Sequence, residues 1–337
     1  MFTATHSHSG SDAHDSHDAH MHGTVDPLIL TTDRGIWALK WSLVGLLATA
    51  FFQLAVVWFS GSVALLADTI HNLADAATAI PLWIAFRLAR WRPNKRFSYG
   101  YGRVEDLAGV AIVLTIVFST IVAGYESIAR LLYPQPVRYL WAVVLASVVG
   151  FLGNEAVALL RIKVGKEIGS AALIADGYHA RVDGLTSLAV LFGAVGVWLG
   201  YPLADPIVGL LITAAILQIV WVSGKAVFTR LLDGVDPELI DEIKNTATRI
   251  PGVSDVTEVR VRWLGHRLHA EINIAVDAEL PVQEGHKIAK ETCHQLLHHV
   301  RYLSDAIVHV DPTNAPGEEH HRIAEHEHDD FPAHSHE

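Results

Sequence analysis

Six apolar stretches dominate the first 232 residues, at about 35–59, 62–89, 104–132, 140–161, 168–199 and 206–228. Each approaches or exceeds the roughly 20 residues needed to cross a bilayer. Short polar breaks separate them: Ser60-Gly61, the 90–103 loop, the proline-containing 133–138 turn, 163–166 and 200–205. Lipid offers no partner for a bare backbone group, so spanning segments are helices or a closed barrel. The stretches are long and do not alternate strictly. They predict a six-helix transmembrane α-bundle over 34–232.

Beyond residue 232 the pattern changes. Asp236-Pro237-Glu238 reads as a helix start, with an N-cap Asp, Pro at the first helical position and an acid in the first turn. That helix runs to about Arg249 and meets the Pro251-Gly252 turn. Val259, Val261 and Trp263 alternate with charged residues, and Leu268, Ala270, Ile272, Ile274 and Val276 alternate with polar ones. Two half-buried strands joined at Leu264-Gly265-His266 follow from this. Helical spacing returns at 282–300 (Ile288, Cys293, Leu296, Val300), and 306–310 reads as a last strand. The order αββαβ predicts a small α+β domain over 233–313. Tails at 1–33 and 314–337 are His-rich and read as disordered.

Composition fits a membrane protein: 51% of the 337 residues are hydrophobic and 18% charged, against about 25% charged in soluble domains. The single cysteine, Cys293, excludes an internal disulfide and a Cys-built zinc site. Histidine is the unusual residue, with 21 in all. The tails hold His6, His8, His14, His17, His20 and His22 at one end and the group from His320 to His336 at the other. They read as weak metal collectors or as solubilising tails. The net charge of −11 argues against a nucleic-acid partner. The polar, His-rich start lacks the pattern of a cleavable signal peptide. Arg87, Arg90, Arg92, Lys95, Arg96 and Arg103 cluster after the second segment, and Arg161, Lys163 and Lys166 after the fourth. The positive-inside rule then puts both termini in the cytoplasm.

Two segments carry ionisable groups at membrane depth in the same pattern, D-x-x-H-x-x-x-D. The second has Asp68, His71 and Asp75; the fifth has Asp176, His179 and Asp183. Residues four apart share a helix face. His71 with Asp75, and His179 with Asp183, can each grip one cation from one helix. Two such helices face to face supply a tetrahedral N2O2 set suited to Zn2+. Cobalt, iron, cadmium and manganese also fit a mixed imidazole–carboxylate shell. A lone intramembrane acid is readily a helix–helix hydrogen-bond partner. Matched groups that each cost about 2.5–3.5 kcal/mol to insert point instead to function. Asp68 and Asp176, one turn earlier, either orient the imidazoles or line a cytoplasmic approach. Arg181 is a counter-ion for Asp176 or Glu155, while Asn154 and Gln53 read as inter-helix hydrogen bonders.

These motifs closely resemble the cation diffusion facilitator family over about residues 34–312. The resemblance includes 62–68 leading into His71 and Asp75, Phe97-Ser98-Tyr99-Gly100-Tyr101-Gly102-Arg103, His179 with Asp183, and His309-Val310-Asp311-Pro312. It implies a homodimer that exports divalent metal from the cytoplasm in exchange for protons, with His71, Asp75, His179 and Asp183 as the transport site. It also implies a ferredoxin-like fold for the cytoplasmic domain, which dimerises and senses metal through His269, His286, His309 and Asp311. Arg103 and Asp233 match a charge pair that pins the dimer. Some relatives carry a second metal site in the 90–103 loop. Phe97 and Tyr101 stand at the matching positions here, so that site is expected to be absent. His294, His298 and His299 read as a solvated helix face.

Zn2+ thus enters as substrate and regulator, with no cofactor, in a multi-pass protein of a bacterial inner membrane surrounded by lipid. Metal needs neutral imidazole and ionised carboxylate, so it competes with protons for the same groups. A hydrolytic zinc enzyme would need an open coordination position and usually a general base. H-E-x-x-H is absent and four ligands close the shell, so an enzyme is not expected. A membrane metal sensor without flux is the remaining rival.

Overall fold

The computed structural model describes residues 27–60, 79–133, 140–201, 203–317, 326–328 and 331–334. Membrane-type helices come first: α1 (Pro27–Ser60), α2 (Ala79–Leu88), α3 (Arg103–Leu132), α4 (Leu140–Ile168), α5 (Ala171–Trp198) and α6 (Ala204–Leu231). Among the described residues five helices, α1 and α3 to α6, are long and apolar enough to cross a membrane. The shorter α2 is the end of the second apolar stretch, whose residues 61–78 lie outside the described part.

Two boundaries differ from the hydropathy reading. Helix α1 begins at Pro27, inside the segment read as a tail. Helix α4 runs on to Ile168, so Lys163 and Lys166 are helical and do not form a connection. Lysine is a good helix former, and a polar residue at a membrane surface need not end a helix. What ends it is Gly169, at φ +74°, a left-handed conformation glycine adopts without steric cost. Ser170 then caps α5, its Oγ accepting from the Leu173 amide at 3.0 Å.

Helices α4 and α5 pack at very short range, through glycines. A Cβ on Gly177 would lie 2.7 Å from Ile162 Cγ1 and 3.0 Å from its amide nitrogen, and one on Gly165 would meet Ile174 just as closely. Close backbone approach through small residues is how membrane helices gain contact where lipid supplies no hydrophobic drive.

The C-terminal domain follows with α7 (Pro237–Thr248), β1 (Asp255–Leu264), β2 (Arg267–Val276), α8 (Val282–His299) and β3 (Leu303–Pro312). Asp236 caps α7 by accepting from the Glu238 amide, with Pro237 in the first turn. The sheet order is β1-β2-β3, with β1 and β2 antiparallel and β2 and β3 parallel. Burial on β2 alternates as its sequence does: Leu268, Ala270, Ile272 and Ile274 are buried, and together with Ile243 and Leu296 they build the domain core. Gly265 (φ +64°) makes the tight β1–β2 turn. The C-terminal segment read as an unstructured tail contains a short hairpin, β4 (His326–His328) with β5 (Phe331–His334).

Candidate metal centre

Helix α5 brings His179 and Asp183 together. The spacing of four puts them one turn apart on a buried face, with His179 Nδ1 3.9 Å from Asp183 Oδ1. They are 1% and 7% exposed, so both ligand types are held away from solvent inside a span. Buried polar side chains also lie on this helix and on its neighbours. Gln53 of α1, Asn154 of α4 and Ser187 of α5 are all buried. Gly150 leaves the room between them: a Cβ there would lie 2.9 Å from Ser187 Oγ and 3.1 Å from Gln53 Nε2. The matching half of the proposed set, His71 and Asp75, and its neighbour Asp68 lie outside the described residues.

Asp176, one turn before His179, is fully buried against Arg161 of α4, whose Nη1 lies 3.0 Å from its Oδ2. Sequence reasoning missed Arg161 because it stood at the margin of an apolar stretch and looked like a loop residue. Arg181 pairs with Glu155 and not with Asp176, through contacts of 3.1 and 2.6 Å. Asp176 and Glu155 therefore each have a guanidinium partner.

In the C-terminal domain, His309 and Asp311 share one side of β3, with Nε2 2.9 Å from Oδ1. Asp311 is buried and its Oδ2 also accepts from the Gly317 amide at 3.2 Å. His269 does not join them. On the β2–β3 ladder it stands at the level of Asp305, while His309 stands opposite Asn273. Four residues along a strand are about 13 Å. His269 Nδ1 instead faces Asp305 Oδ2 at 3.5 Å, a partner the sequence reading did not single out. Burial pushes the His269 imidazole below its ordinary pKa, and Asp305 opposes that only in part. His286 is exposed on α8. Among the described residues no three His, Cys, Asp or Glu side chains form a group able to hold a metal. Spacing in the sequence could not reveal this, because it says nothing of how two strands are staggered.

His294 and His298 are exposed and meet edge-on at 4.4 Å, and His299 is exposed beside them. In the 90–103 loop, Phe97 and Tyr101 pack ring to ring at 4.8 Å, and Trp91 meets Tyr101 edge-on at 5.6 Å. Arg103 pairs with Asp233 just past α6 and donates to the Leu231 carbonyl at 3.3 Å. Asp233 is held at φ +61°. Burial raises the pKa of the Cys293 thiol.

Comparison with known proteins gives matches along most of the chain. Residues 39–232 match the family profile of the cation efflux transmembrane domain, and residues 235–313 that of the cation efflux protein cytoplasmic domain. A probable cation efflux system protein of Mycobacterium tuberculosis is 53% identical over 309 residues, covering 92% of this chain and 90% of the relative. The zinc transporter ZitB of Pectobacterium atrosepticum is 31% identical over 68% of this chain and 74% of its own length. The manganese efflux system protein MneP of Bacillus subtilis is 26% identical over 81% of this chain and 95% of its own length.

Proposed function

Since the chain belongs to the cation diffusion facilitator family of cation efflux transporters, we propose that it exports a divalent transition metal, Zn2+ foremost, in exchange for protons. The observation that carries this reading is the buried His179–Asp183 pair at 3.9 Å within a membrane span. His71 and Asp75 repeat the spacing in the second apolar segment. Together the four form an N2O2 set, with two neutral donors and two charges that balance a divalent ion.

The chemistry follows from the ligands. Metal binds when both imidazoles are neutral and both carboxylates ionised, so protons arriving from outside displace it and metal arriving from the cytoplasm displaces protons. Exchange needs no further group. Arg161 neutralises Asp176, and Asp183, one turn from His179, is the acid of α5 placed to share a cation with that imidazole. Asp176 then shapes the field around His179 and does not itself bind metal, and Asp68 has the equivalent place in the second segment.

Two chains form a homodimer joined through the ferredoxin-like domain, with Arg103 and Asp233 bracing it at the membrane face. His309 and Asp311 are the core of a regulatory metal site on that domain. Both termini lie in the cytoplasm of a bacterial cell, the protein sitting in its inner membrane. The similarity to a manganese efflux protein favours manganese as the second substrate, and a carboxylate-containing shell accepts it. Radiometal uptake into proteoliposomes, with and without a pH gradient, tests the reading. Zinc flux that rises with the gradient supports it. Metal binding with no flux overturns it in favour of a sensor.

A further inference from the structure

One buried imidazole has no part in the transport site. His266 lies in the β1–β2 turn, where the cytoplasmic sheet meets the membrane helices. Its Nδ1 is 2.6 Å from Glu105 Oε2 of α3, and its Nε2 is 3.2 Å from Thr32 Oγ1 of α1. All three residues are buried. Phe86 of α2 tilts against the same ring at 5.7 Å. The turn is tailored to the contact. A Cβ on Gly265 would lie 2.8 Å from both Glu105 Oε2 and the Gly102 carbonyl oxygen, and the Gly265 amide donates to Asp106 Oδ2 at 3.2 Å.

An apolar side chain would have sufficed to rest one domain on the other, since a buried ion pair is rarely the more stable choice. What a His–Glu contact adds is direction. Each ring nitrogen has one partner and one angle, and the two partners belong to different helices. The acids of α3 lie in its first turn, where the helix dipole already favours them.

The geometry points to His266 as a positioning residue for transport. Through its two nitrogens it sets the spacing between the cytoplasmic ends of α1 and α3, and so places the opening of the bundle under the control of the cytoplasmic domain. The assignment rests on the transport reading above, but its structural half can be tested separately.

The test compares the full-length wild type with His266→Ala, Glu105→Gln, the double variant and His266→Gln, using zinc flux in proteoliposomes and hydrogen exchange on the same preparations. His266→Ala and Glu105→Gln should each lower the maximal rate by about ten-fold while KM for zinc stays within about two-fold. The double variant should be no slower than the slower single one, because both remove one contact. His266→Gln, whose amide can still donate to Glu105, should recover most of the rate. In His266→Ala, amides 103–106 and 264–266 should exchange faster, with β2 and α5 unchanged. A wild-type rate in His266→Ala, multiplying losses in the double variant, or lost protection throughout α3–α6 overturns the assignment. If the wild type carries no zinc, it is the metal reading that fails. The exchange pattern then decides alone, and unchanged exchange at 103–106 refutes the clamp.

Discussion

The guanidinium of Arg161 and the carboxylate of Asp176 meet at 3.0 Å between α4 and α5, with 1% and 0% of their side chains exposed. Two charges sealed at that depth are tolerable only together. Losing one partner of such a pair costs far more than losing both. The pair also distinguishes the two aspartates of α5, because Asp176 sits against Arg161 while Asp183 shares a helix face with His179 one turn away.

Asp176→Leu alone should destabilise the protein by about 3–5 kcal/mol, because it strands a buried guanidinium. Combining it with Arg161→Met should recover most of that loss. Unfolding midpoints in detergent measure both. A stable Asp176→Leu protein that has lost flux would make Asp176 a metal ligand instead.

Asp183→Ala and Asp75→Ala should each cut zinc flux by at least about 100-fold while the protein elutes as a folded species. A ligand must matter at least as much as the groups that orient it, whose loss costs 10–100-fold. Near-normal flux in either variant removes the proposed site.

Exchanging His179 or His71 for Asp hardens the ligand set. Competition flux should then show manganese inhibiting zinc uptake at clearly lower concentration than in the wild type. An unchanged inhibition order would mean that selectivity resides elsewhere.

Burial lowers the His269 pKa, so between the folded value and about 6.5 the unfolded chain binds a proton that the folded domain does not. Stability is therefore undiminished above about 6.5 and falls as the pH drops through that window. His269→Asn should flatten this part of the acid dependence of thermal unfolding. Parallel curves for the two proteins would contradict it.

Much of this could be read from the chain. The i,i+4 pair on α5 was legible because helix geometry is periodic, and so was the β2 core, whose alternation of Leu268, Ala270, Ile272 and Ile274 matches its burial. What stayed hidden depends on where distant segments meet. Arg161 looked like a loop cation because hydropathy falls before α4 ends. His269 looked like a partner for His309 because the stagger of β2 against β3 has no local signature. The burial of His266 could not be seen, since a histidine in a hairpin turn is ordinarily solvated.

The glycines that weld α4 to α5 limit how the transporter can work. With Ile162 pressed against Gly177 and Ile174 against Gly165, α5 has no room to roll on its own axis. The imidazole and carboxylate of α5 can change the side they face only if α4 travels with them, carrying Arg161 and Asn154 along. Helices α4 and α5 then form a two-helix slab with its counter-charge built in, so the Arg161–Asp176 pair need not be broken when the slab moves. Even an added methyl, as in Gly177→Ala, should wedge the slab apart at a cost of about 1–3 kcal/mol.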